Sequence, residues 1–266
     1  SGMLMNVIQR ATDLATSPAG ACVAIGMFDG VHLGHQRILT QTIRDATGAG
    51  ARSVAITFDR HPHTVLAPER APALIYSLAQ KLEVIEALGI QTTWLIHFDE
   101  AFSRQPAQAF IEDLVRTSAP LRSICIGRGF TFGHRRTGNV ALLQKLGPHL
   151  GFLVHDLPAL SWKGKAISST RIREAVNQGQ LADASALLGR PYSIRAKVVP
   201  GEKLGHQLGF PTANLDTTGL QLPPAGVYAG LGRLKNATWP AVANLGYRPT
   251  IASGTPALRF EVHLLD

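Results

Sequence analysis

Cysteine is almost absent from this chain: 2 among 266 residues, Cys22 and Cys125, each inside an apolar run. No Cys-x-x-Cys occurs, so neither a zinc site nor a disulfide framework is suggested, and both thiols read as small core residues of a reducing compartment. No apolar stretch approaches the ~18 residues that a membrane span needs. Blocks of five or six consecutive Lys or Arg are missing too, which argues against a basic nucleic-acid tail or a polybasic membrane anchor. A secretory leader pattern, internal repeats and low-complexity tracts are likewise lacking. The opening Ser-Gly-Met reads as a remnant of tag removal and is set aside. The expectation is a cytoplasmic protein with no nucleic-acid and no membrane partner; the oligomeric state is left open.

Hydrophobic residues make up 45% and charged residues 17%, enough to bury a core and to exclude global disorder. Lys and Arg number 26 against 18 Asp and Glu, a formal charge of +8 that suits a small anionic partner such as a nucleotide. A length of 266 residues accommodates two domains.

The first part alternates. Apolar runs at 21–28 and 52–58 read as buried strands, and those at 92–98, 123–127 and 152–158 as three further strands. Helical spacing fills the intervals, with stops at Gly48, Gly50, Gly89 and Gly151. Strands alternating with helices imply βαβ units around a parallel sheet, which takes its ligands at the carboxyl ends of strands and near helix N-termini. Gly189 and Pro191 then fit a helix stop and an exit. From about residue 192 the runs become short and alternating, as in a small β-barrel.

The first strand ends at "GMFDGVHLGH" (26–35), which puts His32 and His35 three residues apart at a strand-to-helix corner. A helix N-terminus favours phosphate, and imidazoles beside it can donate to phosphoryl oxygens as charge builds. A chance pair of structural histidines is the bland alternative; metal binding is a third, with no further ligand nearby in sequence. "AISSTRIREAV" (166–176) places Ser168, Ser169 and Thr170 ahead of a helix carrying Arg171 and Arg173. It reads either as a capped helix with two solvated arginines or as a second polyphosphate site, with one arginine facing the ligand.

Together these two motifs resemble the nucleotidylyltransferase superfamily. "TFDRHP" (57–62), "GRGFTFGHRRTG" (127–138), "LGFPTANL" (208–215), "NLGYRPTI" (244–251) and "RFEVHLLD" (259–266) follow in an order similar to the prokaryotic bifunctional riboflavin kinase/FMN adenylyltransferases, or FAD synthetases. The resemblance spans nearly the whole chain. It implies an α/β nucleotidylyltransferase domain with a Rossmann-like parallel sheet over residues 4–188 and a riboflavin kinase β-barrel over 189–266, shortened at its C-terminus. The implied reactions are phosphorylation of riboflavin to FMN and adenylylation of FMN to FAD, with ATP, riboflavin and FMN as substrates and Mg²⁺ as cofactor. Retention of only one activity, or action on another small substrate, are the alternatives.

By the same resemblance His32, His35 and Arg173 serve adenylyl transfer. Gly26, Phe28, Asp29 and Gly30 form the nucleotide loop, and Ser168, Ser169 and Thr170 hold the β- and γ-phosphates. Arg171 takes a variable position. Phe58, His61, Pro62, Arg128 and Gly129 lie on the flavin side. In the kinase half Gly209 and Pro211 contact ATP, Thr212 and Asn214 hold the metal, and Glu261 is the general base, where a solvent-facing strand residue is the plainer reading. Three positions depart from the family pattern: Gly129 replaces an aspartate or asparagine, His206 an arginine, and Arg60 a proline.

Overall fold

The computed structural model describes residues 4–16, 18–118, 120–200, 212–235, 237–248 and 257–265. In chain order the first part runs β1 (Asn6–Ile8), β2 (Ala21–Ile25), α1 (Leu33–Ala49), β3 (Arg52–Phe58), α2 (His63–Leu66) and α3 (Leu78–Ala87). It continues with β4 (Thr92–Ile96), α4 (Glu100–Ser103), α5 (Ala107–Thr117), β5 (Leu121–Gly127), α6 (Val140–Leu150) and β6 (Leu153–Leu157). A short hairpin of β7 (Ser161–Trp162) and β8 (Lys165–Ala166) precedes α7 (Ser169–Asn177) and α8 (Leu181–Leu188). Strands β1 to β6 form one sheet in the order β1-β4-β3-β2-β5-β6, with every pairing parallel. The order reverses between β2 and β5, which makes the carboxyl end of β2 the crevice where such a sheet binds ligands.

Five of these strands coincide with the apolar runs. The sixth, β1, is only three residues long and pairs with β4 through Asn6↔Thr92; so short a segment cannot display a period. Every residue of β2 is buried, as a central strand covered on both faces requires. Helix α1 buries Ile38, Leu39, Thr42 and Ala46, one stripe against the sheet, and ends at Gly50 with φ 60°.

The second part contains β9 (Lys197–Val199), β10 (Ala213–Asp216), β11 (Gly226–Leu234), β12 (Ala237–Arg248) and β13 (Ala257–Leu264), an antiparallel sheet ordered β11-β12-β13-β10-β9. Asn214 of the "PTAN" segment thus lies in a strand rather than in a turn. No pairing of β9 with β11 occurs among the described residues.

Between the two parts, residues 189–196 lie along α3. Gln80 Nε2 donates to Ser193 O and Oγ (3.1 and 2.9 Å), Arg195 N to Gln80 Oε1 (2.9 Å), and Ser77 Oγ to Arg195 O (3.0 Å). A parallel bridge joins Leu74 to Leu220, with Leu74 N donating to Gly219 O at 2.8 Å and Gln221 N to Leu74 O at 2.7 Å.

Candidate active site

Beyond β2 the chain turns through residues 26–32 in a conformation that L-residues resist. Phe28, Gly30 and Val31 have φ of 50°, 74° and 41°. A left-handed β-branched valine is an outlier, and such residues cost of order 1–3 kcal/mol each unless their surroundings impose them. Gly26 lies against Phe28: a Cβ there would come within 2.7 Å of the ring. Phe28 itself is buried, so its ring shapes the loop from beneath. The Asp29 carboxylate accepts from Ile75 N (3.0 Å), from Tyr76 N (3.3 Å) and from the Arg173 guanidinium. Ser169 Oγ donates to Asp29 O at 3.0 Å. The loop and the distant "SSTRIR" segment therefore meet directly.

His32 is the N-cap of α1, its Nδ1 accepting the His35 N–H at 3.3 Å, and its ring stacks on His35 with centroids 3.6 Å apart. With Nδ1 an acceptor, the neutral ring carries its proton on Nε2. Burial, reinforced by the charge of Arg190, lowers the His32 pKa to about 4. His35 is pushed well below its usual range by burial, then by His32, Lys81 and Arg190. The His35 Nδ1 is buried with no hydrogen-bond partner among the described residues. Both rings are thus neutral near pH 7 in surroundings that are positive or donor-rich. An arriving anion reverses the sign of the Coulombic effect on both.

Gly34 explains why the motif carries a glycine between its histidines. It is helical, but a Cβ would sit 3.1 Å from His32 Cε1 and 3.2 Å from Nδ1. Gly34→Ala improves intrinsic helix propensity by about 0.5–1 kcal/mol and displaces the ring by a few tenths of an ångström. We expect adenylyl transfer, if it uses this ring, to fall about tenfold with no loss of melting temperature, since misplacement by fractions of an ångström is costly. Steady-state kinetics beside a thermal melt checks this.

The hydroxyls of the second segment divide between two sides. Ser169 faces the loop, while Ser168 caps α7 by accepting the Arg171 N–H at 3.2 Å. Ser168 and Thr170 also line a separate polar cavity of about 540 Å³ with Trp162, Arg171 and Glu174. Arg171 Nη1 donates to Trp162 O and Lys165 O, each at 2.9 Å, and so ties down the hairpin. Arg173 is largely enclosed: it binds Asp29 and donates from Nε to Ala73 O at 2.6 Å.

On the other flank, Phe58 is buried against Phe98 and Phe102, and its carbonyl accepts from Lys81 Nζ at 2.7 Å. Lys81 also reaches Thr57 Oγ1 (3.2 Å) and Met27 O (3.3 Å), pinning the ends of β2 and β3 together; burial lowers its pKa to about 8. His61 accepts from His63 N at 3.1 Å, and burial, then His63, Arg173 and Arg136, lowers its pKa to about 4. Pro62 caps α2. Arg128 is exposed and paired with Asp156 at 3.0 Å. A Cβ on Gly129 would meet nothing within 4 Å among the described residues, so a side chain has room there.

In the antiparallel sheet Asn214 pairs with Glu261, and Glu261 with Asn244. Residues opposite one another share a face, so an amide, a carboxylate and an amide form one row across β10, β13 and β12. Thr212 is exposed just ahead of β10. A cavity of about 600 Å³ opens here, lined among others by Val199, Asn214, Asp216, Arg259 and Phe260. Gly209, Pro211 and His206 lie outside the described residues. Among the described residues no group of three or more His, Cys, Asp or Glu could hold a metal. Thr212 and Asn214 offer neutral side-chain oxygens, which are hard donors.

A family model described as FAD synthetase matches residues 14–171, and one described as riboflavin kinase matches 188–266. The bifunctional riboflavin kinase/FMN adenylyltransferase of Escherichia coli K12 is 37% identical over 267 residues, covering 98% of this chain and 84% of that protein. The chain belongs to the bifunctional riboflavin kinase/FMN adenylyltransferase family. The Haemophilus influenzae member is 38% identical over 248 residues, 93% of this chain and 80% of its own. A crystal structure described as a macrolide-efflux protein from Streptococcus pneumoniae superposes with a TM-score of 0.81 at 28% identity, covering 99% of this chain and 85% of that one. No helix among the described residues here is long and apolar enough to cross a membrane.

As a member of that family the chain carries both enzymatic domains, the equipment for riboflavin to FMN to FAD. Three residues that shape this site escaped sequence reasoning: Lys81 and Gln36 of the first domain, and Arg190 of the segment that follows it. Lys81 did leave a signal, since it shares a helical stripe with Ile85 and Leu88, where a polar residue is out of place. Arg190 and Gln36 left none, because they act on backbone carbonyls.

Proposed function

We propose that adenylyl transfer takes place in the crevice between the α1 N-terminus and the segment opening α7. An FMN phosphate oxygen attacks the α-phosphorus of ATP, the bond to the β-phosphate oxygen breaks, and pyrophosphate leaves. His32 and His35 stabilise the charge on the phosphoryl oxygens without forming a covalent intermediate. The neutral His32 ring has its Nε2–H to donate. Ser169 and Arg173 hold the β- and γ-phosphates, Ser168 caps the helix beside them, Thr170 turns to the cavity behind α7, and Gly26, Phe28, Asp29 and Gly30 keep the loop in shape. Phe58, His61, Pro62, Arg128 and Gly129 form the flavin side. The observation that carries this reading is the junction of Ser169 and Arg173 with Asp29, across 140 and 144 residues of sequence.

In the second domain the riboflavin 5′-hydroxyl attacks the γ-phosphate of ATP, and Glu261 takes the hydroxyl proton. Thr212 and Asn214 hold Mg²⁺ and phosphate oxygens; the ion supplies neutralisation of the phosphoryl charge. What supports this assignment is the pairing of Asn214 with Glu261, opposite one another on neighbouring strands. We read the sheet as part of a small barrel, a reading supported by the exposed apolar side chains of Val198, Val227 and Leu231 on its strands.

Incubation with ATP, Mg²⁺ and either riboflavin or FMN, followed by chromatography of the flavins, tests both halves. Riboflavin is expected to yield FMN and FAD, and FMN to yield FAD. Absence of FAD from FMN overturns the first assignment, and absence of FMN from riboflavin the second.

A further inference from the structure

The strained loop after β2 is held by a residue that belongs to none of the motifs. Arg190 lies two residues beyond the end of α8, inside the segment that matches the riboflavin kinase model. Its Nη2 donates to Gly30 O, and its Nη1 to Val31 O (3.0 Å) and Leu188 O (3.1 Å). Its Nε reaches Tyr76 Oη at 3.1 Å, and the guanidinium lies over the Tyr76 ring, 5.2 Å from the centroid. The Gln36 amide adds bonds to Val31 O (2.8 Å) and Leu188 O (2.7 Å).

Every carbonyl from Asp29 to Val31 is thereby engaged: the first by Ser169, the second by Arg190, the third by Arg190 and Gln36. Across a planar trans peptide the carbonyl and the following N–H point in opposite directions. Drawing Val31 O toward the linker therefore turns the His32 N–H away from it and sets the entry into α1, where the His32 ring must fold back onto His35. Left-handed φ at Val31 is the strain this path imposes, and hydrogen bonds from a charged donor offset it. The strap 73–76 meets the same loop from its other side, through Asp29, and reaches Arg190 through the Tyr76 hydroxyl.

We propose that Arg190 is a positioning residue for adenylyl transfer: from the segment joining the two domains it clamps the 28–32 loop in the geometry that presents His32. The inference rests on the adenylyl-transfer reading of the first domain. A lysine would keep the charge but, as a point donor on a flexible stem, could not span Gly30, Val31, Leu188 and Tyr76 together.

The test uses the full chain with Arg190→Ala and Arg190→Lys, assayed for FAD from FMN and for FMN from riboflavin, with a thermal melt of each. Both variants are expected to lower kcat for FAD formation by on the order of 10–10²-fold, with KM for FMN little changed, because the defect is misplacement of the reacting groups. The kinase rate is expected to stay near that of the parent. Added guanidinium at millimolar concentration is expected to restore part of the lost rate in Arg190→Ala. Arg190→Lys matching the parent would show that charge alone suffices and overturn the clamp. So would Arg190→Ala within twofold of the parent, or an equal fall in both reactions with no guanidinium rescue. If Arg190→Ala fails to fold, Arg190→Lys decides the matter. A parent that makes no FAD from FMN would remove the underlying reading, and this inference with it.

Discussion

Replacing His32 by alanine is expected to lower FAD formation from FMN by on the order of 10²–10³-fold, the loss typical of removing a donor to developing charge. Three things disappear together in that variant: the Nε2–H donor, the stacking partner of His35, and the cap on α1. The cap is worth about 1 kcal/mol and is lost to alanine but not to asparagine, whose side-chain oxygen caps well. His32→Asn therefore separates the contributions. A rate loss shared by both variants belongs to the ring, whereas a loss confined to alanine belongs to the helix start. FMN formation from riboflavin is expected to persist in both. Equal loss of the two activities would show that the substitution unfolds the first domain and takes the second with it.

Glu261→Gln is expected to do the opposite. It keeps the shape of the side chain and its place in the row with Asn214 and Asn244, but it cannot accept a proton. Removing a general base typically costs on the order of 10²–10⁴-fold, and FMN formation from riboflavin should fall by that much while FAD formation from supplied FMN continues. Rates of the two half-reactions on one preparation check this. A kinase rate within a few-fold of the parent would return Glu261 to the plainer reading of a strand residue with no chemical role.

Local pattern carried the first domain well. The central strands β2 to β5 are largely apolar runs because both faces are covered, and the helix stops at Gly50 and Gly189 are left-handed as a cap requires. Strand β1 escaped because three residues at a sheet edge are recruited by β4 rather than by their own pattern. The strand at "PTAN" escaped for a related reason: neighbouring glycine and proline signal a turn, whereas pairing of Asn214 with Val199 and Glu261 makes it extended.

The site divides in the same way. His32 and His35 were legible because the motif is local and its glycine has a steric purpose that can be named. The partners of Arg173 were not, since Asp29 and Ala73 lie 144 and 100 residues away. Nor was the division of hydroxyls, with Ser169 toward the loop and Thr170 toward a polar cavity behind α7, because a helix start scatters adjacent side chains around its axis. Gln36 and Arg190 act on backbone carbonyls, which a one-letter sequence does not distinguish from one another.

A crystal structure of the chain with a non-hydrolysable ATP analogue bound to the first domain tests the central claim most directly. The triphosphate is expected within hydrogen-bond reach, about 3 Å, of both His32 Nε2 and the opening residues of α7, bridging the two segments that Asp29 already joins. A triphosphate seated only in the cavity of Trp162, Arg171 and Glu174, without contact to either imidazole, would contradict it.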